Sequence, residues 1–493
     1  MRIHPSRVIR ALLSATVVLF IIFNVHLFVY QHTHPMDGAD TLQGGQRATF
    51  SQEIRSVVKA QNALTGDKLS NQRTNVSDIA NIKGMVTNKA NKKIEHTWED
   101  IDESNKTAIK LAMDRVNQEE LVYNLDKFKL QFTPNSVVIV VQVHDRIQYL
   151  KFLLRSLSEA YDIHKALLII SHDFLSNELN RVVQSIDFCP VVQIYYPYSM
   201  QVFPDVFPGK DPKDCPRDIK KEKAREIKCN NADHPDKYGH YREAKYAQTK
   251  HHWFWKINYV FDELSLTKGF DGLVLLLEED HYVAPDFLHS LSHMKNIRDE
   301  SQKSVGILTL GTYDKKPTYG PQSRQGLIVF LKELFGYAKP EHLQDVDITE
   351  WISSKHNMGM AMDRNWWEII RKCAQVFCKF DDYNWDWSLQ YVSSTCIAGG
   401  LKVMLMKGPR VFHIGECGVH HKGKNCDPHA KVQQISSMLA ANRQHLFPDK
   451  LQVSHVINKK SKSPKGNGGW GDIRDHELCL SFLEHQKPTK TTR

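Results

Sequence analysis

Between Ser136 and Tyr196 the chain twice follows an uninterrupted apolar run with apolar residues at helical spacing. SVVIVVQVHD opens the pattern, and Leu150, Leu153, Leu154 and Leu157 follow at i, i+3, i+4 and i+7. Ala166 to Ser171 is a second such run, Leu179, Val182, Val183 and Ile186 mark a second helix, and PVVQIYY from Pro190 supplies a third strand. A strand that is apolar on both faces needs cover on both sides, which helices packed across a parallel sheet provide. The pattern predicts an α/β fold with a mostly parallel, Rossmann-like sheet whose ligands sit at the carboxyl ends of the strands.

That expectation gives a place to GLVLLLEEDHY, Gly272 to Tyr282, an aliphatic run that stops on Glu278, Glu279 and Asp280. Three adjacent carboxylates repel one another unless a positive charge joins them, and hard oxygen ligands of this kind suit Mg²⁺ or Mn²⁺ bridging a diphosphate. The plainer reading is that one carboxylate caps the next helix while the others face water.

The chain of 493 residues is 41% hydrophobic, enough to bury a sizeable core. Its formal net charge of +9 is spread along the sequence without a basic run or nucleic-acid motif, so it reads as solvated surface and no nucleic-acid partner is expected. Residues 11–30, ALLSATVVLFIIFNVHLFVY, match the roughly 20 residues that span a bilayer. A cleaved signal peptide would have a shorter apolar core and small residues before its cut. Arg2, Arg7 and Arg10 precede the segment and QHTHPMDGAD follows it, which keeps residues 1–10 cytosolic and puts the rest of the chain in a lumen. Residues 31–118 are polar with no sustained period and read as a lumenal stem. They carry the sequons Asn75-Val76-Ser77 and Asn105-Lys106-Thr107. A catalytic domain is expected over 119–493. All nine cysteines lie from Cys189 onward, which suits disulfides in an oxidising compartment with one thiol left over.

A long ordered set of motifs adds to this. QVHDR at Gln142, SHDF at Ser171, FPG and DCPRD around Cys215, GHYREAK at Gly239, QTKHHWFWK at Gln248 and LLEEDHYVAPDF at Leu276 come first. HNMG at His356, DDYNWDWSLQY at Asp381, VFHIGECGVHHK at Val411 and NGGWGDIRDHELC at Asn467 complete the set. Over roughly residues 120–480 these resemble the N-acetylglucosaminyltransferase II family, the alpha-1,6-mannosyl-glycoprotein 2-beta-N-acetylglucosaminyltransferases. The resemblance implies a Golgi type II membrane enzyme with a nucleotide-diphospho-sugar transferase (GT-A) fold. It also implies inverting, Mn²⁺-dependent transfer of GlcNAc from UDP-GlcNAc to the 2-hydroxyl of the α1,6-linked mannose of N-glycans. The implied partners are the donor, the glycoprotein acceptor and the Golgi membrane, and a homodimer is left open.

Residue by residue, the resemblance assigns Asp280 and His413 to Mn²⁺, a ligand pair that the chemistry of the ion accepts. It assigns Gln142, Val143, His144, Asp145, Arg146 and Asp173 to uridine and ribose, although strand-end polar capping accounts for them equally. Gln248, Thr249, Lys250, His251 and His252 match a donor-contacting segment, or else a helix with an aromatic core face. Asp386 matches the base, which must be a carboxylate separate from the metal because metal-bound carboxylates are poor proton acceptors. Trp385 and Trp387 beside it suit either sugar faces or the core, and Asp381 and Asp382 either orient neighbours or face solvent. His413, Cys417, His420, His421 and Cys426 contain zinc-ligand residue types but lack a CxxC pair. The resemblance pairs Cys215 with Cys229, Cys373 with Cys396, Cys378 with Cys479 and Cys417 with Cys426, leaving Cys189 free.

The chain also departs from the family pattern. Asp145 stands where Asn is usual, the close cysteine pair before Gly311-Thr312-Tyr313 is missing, and Lys316 sits imperfectly spaced near a basic donor contact. Residues 320–350 form an apparent insert whose LIVFLKELF stretch is expected to be a short amphipathic helix. Two alternatives share these residues: the β1,2-GlcNAc transferase acting on the α1,3-mannose, and an inactive transferase fold serving as a Golgi lectin, which would need no base.

Overall fold

The computed structural model describes residues 100–313, 344–415, 428–458 and 462–484. The expected tail, anchor, Asn75, Lys316, LIVFLKELF and the Cys417–Cys426 pair lie outside the described residues. Among the described residues no helix is long and apolar enough to cross a membrane.

Twelve strands form among these residues. They are β1 (Val122–Tyr123), β2 (Val137–Val143), β3 (Leu167–His172), β4 (Val191–Tyr195), β5 (Leu273–Glu278), β6 (His281–Val283), β7 (Val305–Thr309), β8 (Val346–Glu350), β9 (Met360–Met362), β10 (Lys402–Met406), β11 (Val411–His413) and β12 (Val453–Val456). Ten make one sheet in the order β1-β4-β3-β2-β5-β9-β7-β10-β8-β12, and β6 pairs with β11 in a separate ribbon. β4, β3, β2 and β5 are mutually parallel, as the strand–helix alternation predicts, whereas β9 is antiparallel to both β5 and β7.

The apolar runs sort onto two faces because successive strand side chains alternate. Val138 and Val140 join Trp253, Phe254 and Ile257 in one core, while Ile139, Val141 and Val143 join Leu150, Leu153 and Leu157 in the other. The chain runs from β2 outward through β3 and β4, then returns to β5 on the opposite side of β2. The direction reverses between β2 and β5, and such switch points open a crevice at the carboxyl ends of the strands. Gln142 and Glu278 are register partners there.

Two expectations change. Helix α1 (Lys106–Glu119) falls within the stretch read as stem, yet it buries Ile109, Ala112 and Met113 against Leu175 and Tyr195. Its apolar stripe is too narrow to show as a sustained period in a polar sequence. The second sequon begins this helix rather than preceding the folded part: Asn105 Oδ1 accepts from the Thr107 and Ala108 N–H groups as its N-cap. At the end of the 320–350 insert, residues 346–350 are strand β8, antiparallel to β10 and parallel to β12.

The structure joins Cys215 to Cys229, Cys373 to Cys396 and Cys378 to Cys479, the three pairings of the resemblance that fall within it, and Cys189 is a buried free thiol.

Candidate active site

Two of the three carboxylates at the end of β5 share one cation, Arg146, which relieves their repulsion. Glu279 accepts from Arg146 Nε at 2.6 Å and from the His144 N–H at 2.8 Å. Asp280 Oδ2 accepts from Arg146 at 2.8 Å and lies 3.2 Å from His413 Nε2. Arg146, from the QVHDR turn after β2, is the cation that joins two of the acids. Burial pushes the Asp280 carboxyl up, but the His413 hydrogen bond and the Arg146 guanidinium more than offset it and hold the group well below the usual carboxylate range.

His413 reaches this point through the β6–β11 ribbon, which sets it opposite His281, the residue after Asp280. The cluster fits a divalent cation on three observations. Asp280 Oδ1 is buried with no hydrogen-bond partner. Glu278, Asp280 and His281 bring ligand atoms within 4.8 Å of one another. A Cβ built on Gly415 would lie 2.4 Å from Asp280 Oδ2 and 3.0 Å from His413 Nε2, so only glycine leaves the pair in place. His281 is the poorest candidate of the group. Its Nδ1 accepts the Glu278 N–H at 3.1 Å, and burial keeps the ring neutral with its pKa pushed down to about 3. The remaining Nε2 then carries the proton and offers no lone pair. Asp280 and His413, with Glu278 adjacent, are the residues that could hold a metal.

Several of the residues that the resemblance assigns to the donor converge on Asp173. Its Oδ1 lies 2.6 Å from His144 Nδ1, and its Oδ2 accepts from Gln248 Nε2 at 3.0 Å and faces His252 Nδ1 at 3.5 Å. The Asp173 hydrogen bond raises His144 to about 9 against the cost of its burial. Gln248 and His252 lie on helix α2 (Ala244–Asn258), and His252 Nε2 meets Ser171 Oγ at 2.8 Å. Val143 is buried, and Asp145 is exposed beside His144 with its Oδ2 3.9 Å from His144 Nε2. The charge it adds in place of Asn therefore stands in solvent and not against the Asp280 cluster. Thr249 is exposed.

Lys250 and His251 point elsewhere. Lys250 Nζ donates to the Phe380 and Asp382 carbonyls at 3.1 and 2.8 Å and lies 4.1 Å from the centre of the Trp470 ring, while His251 Nε2 is 3.0 Å from Asp475 Oδ1. These two brace the fold behind the cleft. Lys256 was not legible as a site residue. It lies one turn beyond His252, is almost fully buried, and donates to Gln142 Oε1 at 2.5 Å. Gln248, His252 and Lys256 fall at i, i+4 and i+8, one polar stripe along α2, and that spacing was the available signal.

Asp386 occupies the first turn of helix α3 (Trp385–Thr395). Its Oδ1 accepts the Trp387 N–H at 3.0 Å, and Asn357 Nδ2 is 3.4 Å from its Oδ2. Burial raises its carboxyl to about 6, with the charges of Asp382 and Glu278 adding to the shift. Tyr313 packs on His413 at 5.3 Å between ring centres. Burial and the carboxylates of Glu278, Asp280 and Asp386 together push its phenol well above the ordinary value.

Asp382 does not face solvent. Its two oxygens accept from the N–H and side-chain amide of both Asn384 and Asn467 at 2.8 to 2.9 Å. Trp385 is core, stacked on Trp253 at 4.4 Å and 7° between planes, whereas Trp387 is only half-buried.

An acid-and-imidazole cluster thus stands at the switch point of a mostly parallel sheet. A family model of N-acetylglucosaminyltransferase II matches residues 110–479, and the chain belongs to that family. It is 43% identical over 372 residues to alpha-1,6-mannosyl-glycoprotein 2-beta-N-acetylglucosaminyltransferase of Sus scrofa, covering 76% of this chain and 78% of that one. The protein of the same name from Homo sapiens is 43% identical over 373 residues, with the same coverage of both chains. That of Arabidopsis thaliana is 33% identical over 368 residues, covering 73% of this chain and 77% of the relative. The solved structure of S. aureus TarS 1–349 in complex with UDP-GlcNAc aligns over 71% of each chain at 9% identity and a TM-score of 0.28, too loose a likeness to bear on the site.

Proposed function

We propose that the chain transfers GlcNAc from UDP-GlcNAc to the 2-hydroxyl of the α1,6-linked mannose of N-glycans, with inversion, on a GT-A fold. In this reading Mn²⁺ is held by Asp280 and His413, and residues 11–30 anchor the chain in the Golgi membrane with the catalytic domain lumenal. The observation that carries the reading is the Asp280 carboxylate at the end of β5, whose Oδ2 lies 3.2 Å from His413 Nε2 while its Oδ1 is buried without a partner. Family membership supports the choice of donor and acceptor.

Gln142 to Arg146 and Asp173 receive the nucleotide. Gln248 and His252 act on it through Asp173, which they hold in one rotamer. Bound Mn²⁺ would offset the charge that develops on the departing diphosphate. Asp386, ionised above pH about 6, takes the proton of the mannose 2-hydroxyl as that oxygen forms its bond to the anomeric carbon and UDP leaves from the opposite face. The hydrogen bond from the Trp387 N–H orients this carboxylate.

The test is transfer from labelled UDP-GlcNAc to defined acceptor glycans with the product linkage read by NMR. A β1,2-GlcNAc on the α1,6-mannose is expected. Product on the α1,3-mannose would assign the sister activity, and glycan binding without transfer would assign a lectin.

A further inference from the structure

Lys256 brings a charge into the core of the sheet, and that placement has a consequence for which nucleotide the cleft accepts. It is 1% exposed and donates to Gln142 Oε1 at 2.5 Å. Burial lowers its pKa, while the carboxylates of Glu278 and Asp173 favour the charged form. With Lys256 Nζ held against Oε1, the Gln142 amide turns its oxygen toward α2 and its NH₂ away from it. Gln142 is the second-to-last residue of β2, half-buried, with Glu278 and Ser171 as its register partners on either side. Gln142 thus stands at the carboxyl end of β2, where the crevice between β2 and β5 opens.

A glutamine without such a partner presents donor or acceptor with little preference, because the two ends of the amide are nearly the same shape. Uracil and cytosine differ at one exocyclic position, a carbonyl in the first and an amino group in the second. A fixed N–H donor accepts the carbonyl and rejects the amine.

Resting on the UDP-GlcNAc reading above, we propose that Lys256 is a positioning residue that locks the Gln142 amide with its N–H outward, and that this donor selects the C4 carbonyl of uracil. Lys256 thereby sets the preference for uridine over cytidine nucleotides without touching the nucleotide.

The experiment is calorimetry of UDP and CDP, each with Mn²⁺, on the full chain in detergent. In Lys256→Met, UDP affinity is expected to fall about tenfold and the UDP-to-CDP preference to collapse toward unity. Gln142→Glu keeps an oxygen on Lys256 but turns a second oxygen outward, so its preference should invert toward CDP. A Lys256→Met protein that binds both nucleotides more weakly by the same factor overturns the proposal, since a merely structural lysine would act that way. Should that variant fail to fold, Gln142→Glu decides alone, and an unchanged preference there overturns it. No UDP binding by the wild type would remove the donor reading together with this inference. Normal wild-type binding with unaltered selectivity in both variants would remove this inference only.

Discussion

Asp280 Oδ2 lies 3.2 Å from His413 Nε2, and the other oxygen of the same carboxylate has no partner. Asp280 immediately precedes β6 and His413 ends β11, the two strands of a short ribbon, and their contact depends on there being no side chain at Gly415. Asp280→Asn removes the anionic ligand without altering shape. Metal-dependent binding of UDP is expected to fall together with turnover, as calorimetry of UDP with and without Mn²⁺ would show.

Gly415→Ala tests the same pair sterically. The added Cβ would displace Asp280 Oδ2 from 2.4 Å, and Arg146 leaves that carboxylate little room to move. Turnover is expected to drop on the order of 10²-fold while the melting temperature changes little. Wild-type turnover in this variant would show that the pair tolerates displacement.

Asp386→Asn should fail differently. It keeps the size of the side chain and cannot take a proton, so kcat is expected to fall by roughly 10²–10⁴ with UDP and Mn²⁺ affinity near wild type. Lost nucleotide binding in this variant would assign Asp386 to the metal or the fold.

The pH profile follows from the same residue. Burial raises the Asp386 carboxyl to about 6, and only the ionised form accepts the hydroxyl proton. The rate should therefore level off above about 6 and decline on the acid side by about tenfold per pH unit. A kcat profile flat down to pH 4.5 would place the base on an unperturbed group.

Asp382→Ala removes four hydrogen bonds that tie the residue before α3 to the loop at Asn467. Loss of this buried network should cost about 2–4 kcal/mol of stability and lower kcat, because Asp386 rides on the helix that Asn384 begins. Thermal melting beside single-turnover transfer would separate the two effects, and a stable protein with full kcat would show that α3 needs no such tie.

Breaking Cys378–Cys479, which spans 101 residues of chain, should destabilise the domain by about 2–5 kcal/mol, read as a lower melting temperature in Cys479→Ser. An unchanged melting temperature would show that the cross-link adds nothing to the packing around it.

The sequence by itself determined the alternating architecture and the place of the acidic triplet, because a strand apolar on both faces and a helix with a wide apolar stripe each announce a local period. It also marked Asp280, His413 and Asp386, whose motifs are long and ordered. Only the tertiary structure decided which neighbours act on which. Arg146 as the cation between Glu279 and Asp280, Lys250 under the Asp382 carbonyl, Asp382 as a tie between two loops, and Lys256 beneath Gln142 all join residues far apart in the chain. Helix α1 escaped notice for a related reason: three buried side chains in fourteen residues make a helix only when Leu175 and Tyr195 are there to cover them. Local periodicity records how a segment is covered. It holds no record of which distant group covers it, since that depends on sheet order and register, and there the chemistry of this cleft is assembled.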